Sequence, residues 1–221
     1  MGVMRGRRGT AMIAAAAAAM TALSVWSATA AAAVEQAQSR RAGHTSFLEV
    51  RGDTPPWHRV VTYVLRADDT AAAELGAFAD VADQTLNDPR GWGSGGAIDF
   101  VRVRHGGEFR LWLASRRTVA AAHVSCSPEY SCRVGKDVLI NAARWRDGAA
   151  TFRGHPLDDY RQYVINHEVG HWLGLKHQEC PGKGGPAPVM QQQTIRLDGC
   201  EPRVWPLHRE IRVARPALQA G

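Results

Sequence analysis

Residues 167–177 read HEVGHWLGLKH, with histidine at the first, fifth and eleventh places and glutamate directly after the first. No other stretch of the chain restricts its fold so tightly. On an α-helix, positions i and i+4 share one face a turn apart. His167 and His171 can therefore face one point if the segment is helical. His177 lies six residues past His171 and would look elsewhere from a continuing helix. Gly174 supplies the break, because glycine takes the left-handed backbone that ends many helices without steric cost. The chain can then double back and bring His177 to the same point.

That geometry implies a metal. Three neutral imidazoles suit zinc and leave its fourth tetrahedral position open, as in catalytic sites; structural sites are closed by four protein ligands. Glu168 lies beside the ligands, where a carboxylate can take a proton from zinc-bound water. The expected ligands are thus His167, His171 and His177, with Zn2+ as cofactor and Glu168 as the catalytic carboxylate. Ile165, Val169 and Trp172 fall off the metal-facing side at helical spacing and read as core. Gly170 would allow another segment to approach closely, at some cost in helix propensity.

The surrounding pattern is that of a mixed α/β domain. The segment LDDYRQYVINHEVGHWLGL predicts a helix over about 157–173, with Asp158 and Asp159 at its positive end. HRVVTYVLRA alternates as a strand at about 58–66. Asp68, Asp69 or Thr70 can cap a helix running to Leu86, with Leu75, Phe78, Ala79, Ala82 and Leu86 on one face. AIDFVRVR and EFRLWLAS flank His105-Gly106-Gly107 and read as a hairpin. DVLINAARW adds a strand at about 137–142. Beyond Gly174 the chain is rich in Pro and Gly and has little periodicity.

The first segment reads as an export signal: Arg5, Arg7 and Arg8 precede an alanine-dominated run with small-residue cleavage sites at 28–33. An uncleaved anchor is the rival, but alanine is weakly apolar for a stable span. Arg7-Arg8 also permits a twin-arginine route. The expected organisation is a signal over 1–33, a linker or short pro-segment over 34–56, the domain over 57–208, and a tail over 209–221. Three of the arginines behind the net charge of +6 lie in that signal, with no acid. The basicity is therefore partly a targeting feature and indicates no nucleic-acid function. Four cysteines follow: Cys126, Cys132, Cys180 and Cys200. An even count in an exported chain favours disulfides. Of three possible connectivities, proximity favours Cys126–Cys132 and Cys180–Cys200. Their spacings match no zinc-finger pattern.

HEVGHWLGLKH resembles the zinc signature of the metzincin metallopeptidases. That resemblance implies a twisted, mostly parallel sheet of about five strands, a long helix, an active-site helix beneath the cleft and an irregular C-terminal part. It also implies a Met-turn under the metal, for which Met190 in APVMQQQT is the candidate, bounded by Cys180 and Cys200. The segments DPRGW, YSCRVG, RQYVINHEVGH, PAPVMQQQT, DGC and WP resemble a family of secreted bacterial proteins with no assigned function, over about residues 55–207. The chain departs from the astacin-like and serralysin-like branches, since Gln191, Gln192 and Gln193 stand where those have Met-x-Tyr.

The expected function is a secreted, monomeric zinc peptidase acting on a peptide or protein, without stable membrane insertion after signal cleavage. Substrate would add as a strand to an exposed sheet edge, with the regions near 108–124 as candidates. A zinc amidase acting on cell-wall peptides, and a non-catalytic zinc-containing binding module, are the alternatives. His44, His58, His105, His123, His155 and His208 lack ligand spacing. Arg102, Arg104, Arg110, Arg116 and Arg117 form a basic run that reads as a solvated face or a site for acidic substrate.

Overall fold

A computed structural model of the chain describes residues 58–93 and 97–219. The expected signal and linker, with His44, lie outside the described residues. The elements are β1 (Arg59–Ala67), a 3-10 helix (Asp69–Glu74), α1 (Leu75–Leu86), β2 (Ile98–Arg102), β3 (Phe109–Ala114), α2 (Arg116–Ala122), β4 (Cys132–Val134), β5 (Asp137–Asn141), α3 (Ala142–Asp147), a 3-10 turn (Ala150–Phe152), α4 (Leu157–Trp172) and α5 (His208–Gln219). The strands form one mixed sheet in the order β2-β1-β3-β5-β4. Only β4 runs antiparallel to its neighbour.

The alternation in β3 explains why the sheet has two unequal sides. Phe109, Leu111 and Leu113 are fully buried on one face, packed with Phe78 and Leu86 of α1 and Ile165 and Val169 of α4. On the other face Trp112 packs with Val119 of α2, Leu139 of β5 and the Cys126–Cys132 pair. The main core thus lies between the sheet and α1 with α4. Truncating a side chain such as Phe78 there would cost about 3–5 kcal/mol.

The expected hairpin between β2 and β3 does not form. Both strands pair in parallel with β1, on opposite sides of it. A short connection cannot return a chain to a parallel neighbour in full register, and here it does not need to. β2 pairs with Arg59–Tyr63 and β3 with Tyr63–Ala67, so the chain keeps its direction and crosses over β1 at Tyr63. Val103 N–H donates to Tyr63 O, and Glu108 N–H to Thr62 O, each at 2.8 Å. A Cβ on Gly107 would stand 2.8 Å from the Val64 backbone nitrogen. The Gly-Gly pair that resembles a turn is therefore a crossing point.

Two further expectations are corrected. β3 is paired on both sides and Arg116–Ala122 is helical, so the 108–124 region offers no free sheet edge. The edge beside β5 is β4, too short to show a periodicity. The C-terminal part is also less irregular than expected. Residues 174–207 contain only an isolated bridge between Pro186 and Glu201, but His208–Gln219 forms α5. Ile211 and Ala214 join the main core and Glu210 is fully buried, so the domain does not end at 208. The disulfides are Cys126–Cys132 and Cys180–Cys200, as proximity favours. Among the described residues no helix is long and apolar enough to cross a membrane.

Candidate metal centre

α4 carries His167, Glu168 and His171 into the interior. Asp158 and Asp159 occupy its first turn. Trp92 Nε1–H donates to Asn166 O at 2.9 Å, tying the helix to the loop after α1. The helix stops as expected. Gly174 has φ +90°, and Leu175 N–H returns to Gly170 O at 3.0 Å, closing the last turn with a left-handed residue. His177 then reaches back, and its Nε2 stands 3.0 Å from His171 Nε2. One ligand atom from each of His167, His171 and His177 lies within 4.8 Å of the others.

The remaining ring nitrogens set the orientation. His167 Nδ1 lies 2.8 Å from Val189 O, and His171 Nδ1 lies 2.9 Å from Leu175 O. With Nδ1–H donated to a carbonyl, each ring turns the Nε2 lone pair toward the common point. Burial holds all three imidazoles below the usual histidine range. His167 is pushed down to about 3, by burial first and then by the neighbouring His171. His171 and His177 are lowered chiefly by burial as well. Neutral imidazoles at neutral pH are what a metal requires. The His171–His177 separation brings two ring nitrogens close enough to share one ion. The cluster could hold a metal, and no fourth His, Cys, Asp or Glu joins it among the described residues.

Met190 packs against α4 at Gly170. It is fully buried, and Gln178 N–H donates to its carbonyl at 3.0 Å, joining the turn to the segment just past His177. A Cβ on Gly170 would come within 2.4 Å of Met190 Sδ. Gly170 thus admits the methionine between the helix turns that carry His167 and His171. The Cys180–Cys200 disulfide spans the loop bearing Met190.

Glu168 is buried, lines the cleft and makes no hydrogen bond to any described residue. Burial raises its carboxyl to about 8, while the nearby Arg133 guanidinium acts in the opposite sense. The cleft, of about 340 Å³, lies between α4, β4, the disulfide-closed 126–132 loop and residues 192–195.

Three side chains were not singled out by sequence reasoning. Tyr163 lies one helical turn before His167, a spacing that could have flagged it. Its hydroxyl donates to Gln191 O and accepts from Gln193 N–H, both at 2.9 Å. Its single proton is thereby committed, and burial raises its pKa. Arg133 enters from β4, and Glu210 from α5; neither has a local sequence signal. Of the three glutamines after Met190, Gln191 and Gln193 are buried, and Gln192 lines the cleft. Gln193 bridges Pro188 O and the backbone of Arg203.

The other described histidines are not part of the cluster: His58 pairs with Asp99, His123 with Ser125 and His155 with Asp159. Within the basic run, Arg110 pairs with Asp137 and Arg116 with Glu129.

The family described as "Protein of unknown function (DUF3152)" matches residues 35–210. No curated protein matches the chain.

Proposed function

The chain belongs to the DUF3152 family, and we propose that it is a secreted, zinc-dependent peptidase of metzincin type. The observation that carries this reading is the convergence of three neutral imidazoles and one buried carboxylate, with no hydrogen bond among the described residues, on a single cleft. Three imidazoles without thiolates or carboxylates suit zinc, with an open fourth position. Zinc held there would act as a Lewis acid toward water and the scissile carbonyl.

The chain's own residues do the rest. Glu168 has no competing hydrogen bond among the described residues, so its carboxylate can accept a proton from the attacking water. It then delivers that proton to the departing amide nitrogen. Val189 O and Leu175 O hold the imidazoles in the ligating tautomer. Met190 is the floor under the ligand pair. Substrate would lie in the cleft beside β4, whose outer edge has no strand partner among the described residues. Two disulfides and an expected signal support an extracellular setting.

The test is to measure zinc per purified chain and to profile a diverse peptide library with the unsubstituted protein and with Glu168→Gln. One zinc per chain is expected in both. Cleavage by the variant should fall by about 10²–10⁴-fold. Less than one zinc after reconstitution, or cleavage unchanged by the substitution, would refute the proposal.

A further inference from the structure

Arg133 has no place in the chemistry described so far. It sits in the middle of β4, where side chains alternate between faces. Cys132 and Val134 pack with the smaller cluster around Val119 and Leu139. Arg133 therefore points to the opposite face, where it lines the cleft with Glu168 and His171. Among the described residues it is the only Arg or Lys on that wall. Among the described residues its buried Nε has no hydrogen-bond partner, and no acid forms an ion pair with it. A buried, unsatisfied donor is unfavourable, and a cation beside a metal site opposes the metal's own charge. Both costs vanish if an anion occupies the space between them.

The rest of the cleft suits an anion. Ser125, Ser127, Ser131 and Thr194 line its wall, and Glu168 is the only acid among the described residues there. The planar guanidinium fork matches a carboxylate with two parallel hydrogen bonds. A volume of about 340 Å³ admits a short stretch of peptide.

We propose that Arg133 is a specificity-determining residue that binds a substrate carboxylate, so that the cleft selects peptides with a free carboxylate beside the scissile bond. This deepens the peptidase reading and rests on it. The carboxylate has two sources, the peptide C-terminus or an Asp or Glu side chain.

The test is a binding titration on the zinc-loaded full chain carrying Glu168→Gln, repeated without metal. One arm compares Ala-Ala-Ala-Ala as the free acid and as the C-terminal amide. The other compares acetylated, amide-capped tetra-alanine with Glu or Gln placed at each position in turn. In one arm the carboxylate form should bind roughly 10- to 100-fold more tightly, the scale of a hydrogen-bonded charge pair. That arm identifies the source. Adding Arg133→Gln should abolish the preference while leaving binding of the amide form unchanged. Arg133→Lys, which keeps the charge but loses the fork, should retain only part of it, and serves if the glutamine variant does not fold. Equal binding of acid and amide in both arms overturns the proposal, as does absence of binding. A preference that survives Arg133→Gln overturns it too and assigns the carboxylate to the metal. Because the titration needs no turnover, failure of hydrolysis and failure of carboxylate selection are read separately.

Discussion

The buried carboxylate of Glu210 accepts a hydrogen bond from Met190 N–H at 2.9 Å, so the last helix holds the turn beneath the histidine cluster. The same carboxylate accepts from Val189 N–H at 3.0 Å and Leu207 N–H at 2.8 Å. Val189 O in turn orients His167. A residue 43 positions past His167 in sequence is thus two hydrogen bonds from it.

Replacing Glu210 with Ala leaves three backbone donors without their acceptor. The expected loss of stability is about 2–4 kcal/mol, since hydrogen bonds to a charged acceptor are each worth more than neutral ones. Metal affinity should fall by about 10–100-fold, the usual effect of removing an outer support of a ligand. Urea unfolding of the metal-free protein and a competitive zinc titration measure the two separately. Unchanged zinc affinity would show that the turn keeps its position without Glu210.

Gly170→Ala should destabilise the protein by about 1–3 kcal/mol through overpacking, because the new methyl collides with Met190 Sδ and Trp92. Met190→Ala alone leaves a cavity. The double variant should recover part of the loss, giving a favourable coupling in a double-mutant cycle. Strict additivity would mean that the two residues do not meet.

At the strand crossing, Gly107→Ala and Gly106→Ala should separate two causes of destabilisation. Gly106 has φ +70° and open space around it, so alanine there costs about 1 kcal/mol of backbone strain. Alanine at Gly107 must displace the β1 backbone itself. It should be the more damaging substitution by at least a further ~1 kcal/mol. Equal midpoints in denaturant would remove the crossing as the explanation for Gly107.

In the metal-free protein Glu168 should contribute less stability as pH rises. Glu168 has a folded-state value of about 8, above the ordinary carboxylate range. From about pH 4.5 to 8 the folded state holds a proton that the unfolded state releases. The contribution is full below the unfolded value and disappears as pH rises through the folded one, with a slope approaching ~1.4 kcal/mol per pH unit. Glu168→Gln removes this dependence. The lowered histidine values act in the opposite sense, costing stability as pH falls below about 6.5, and they remain in the variant. The difference between the two proteins, measured by denaturant titration in chelator, should therefore widen with pH. Parallel curves would place Glu168 in solvent.

The histidine segment shows how much was legible in the chain alone. Helical periodicity, a left-handed stop at Gly174 and short-range disulfide pairing are local properties, and residues 157–177 with four cysteines determine them. The sheet order was not legible, because β2 and β3 choose their partner across β1 and no local pattern records that choice. The same holds for the cleft. Arg133 and Glu210 carry no motif, and their significance arises only when β4 and α5 pack against α4. Sequence by itself determined the inner ring of candidate ligands and the carboxylate beside them. Tertiary structure alone decided what supports that ring and what faces it, because those contacts join segments distant along the chain whose apolar faces are buried together in one core.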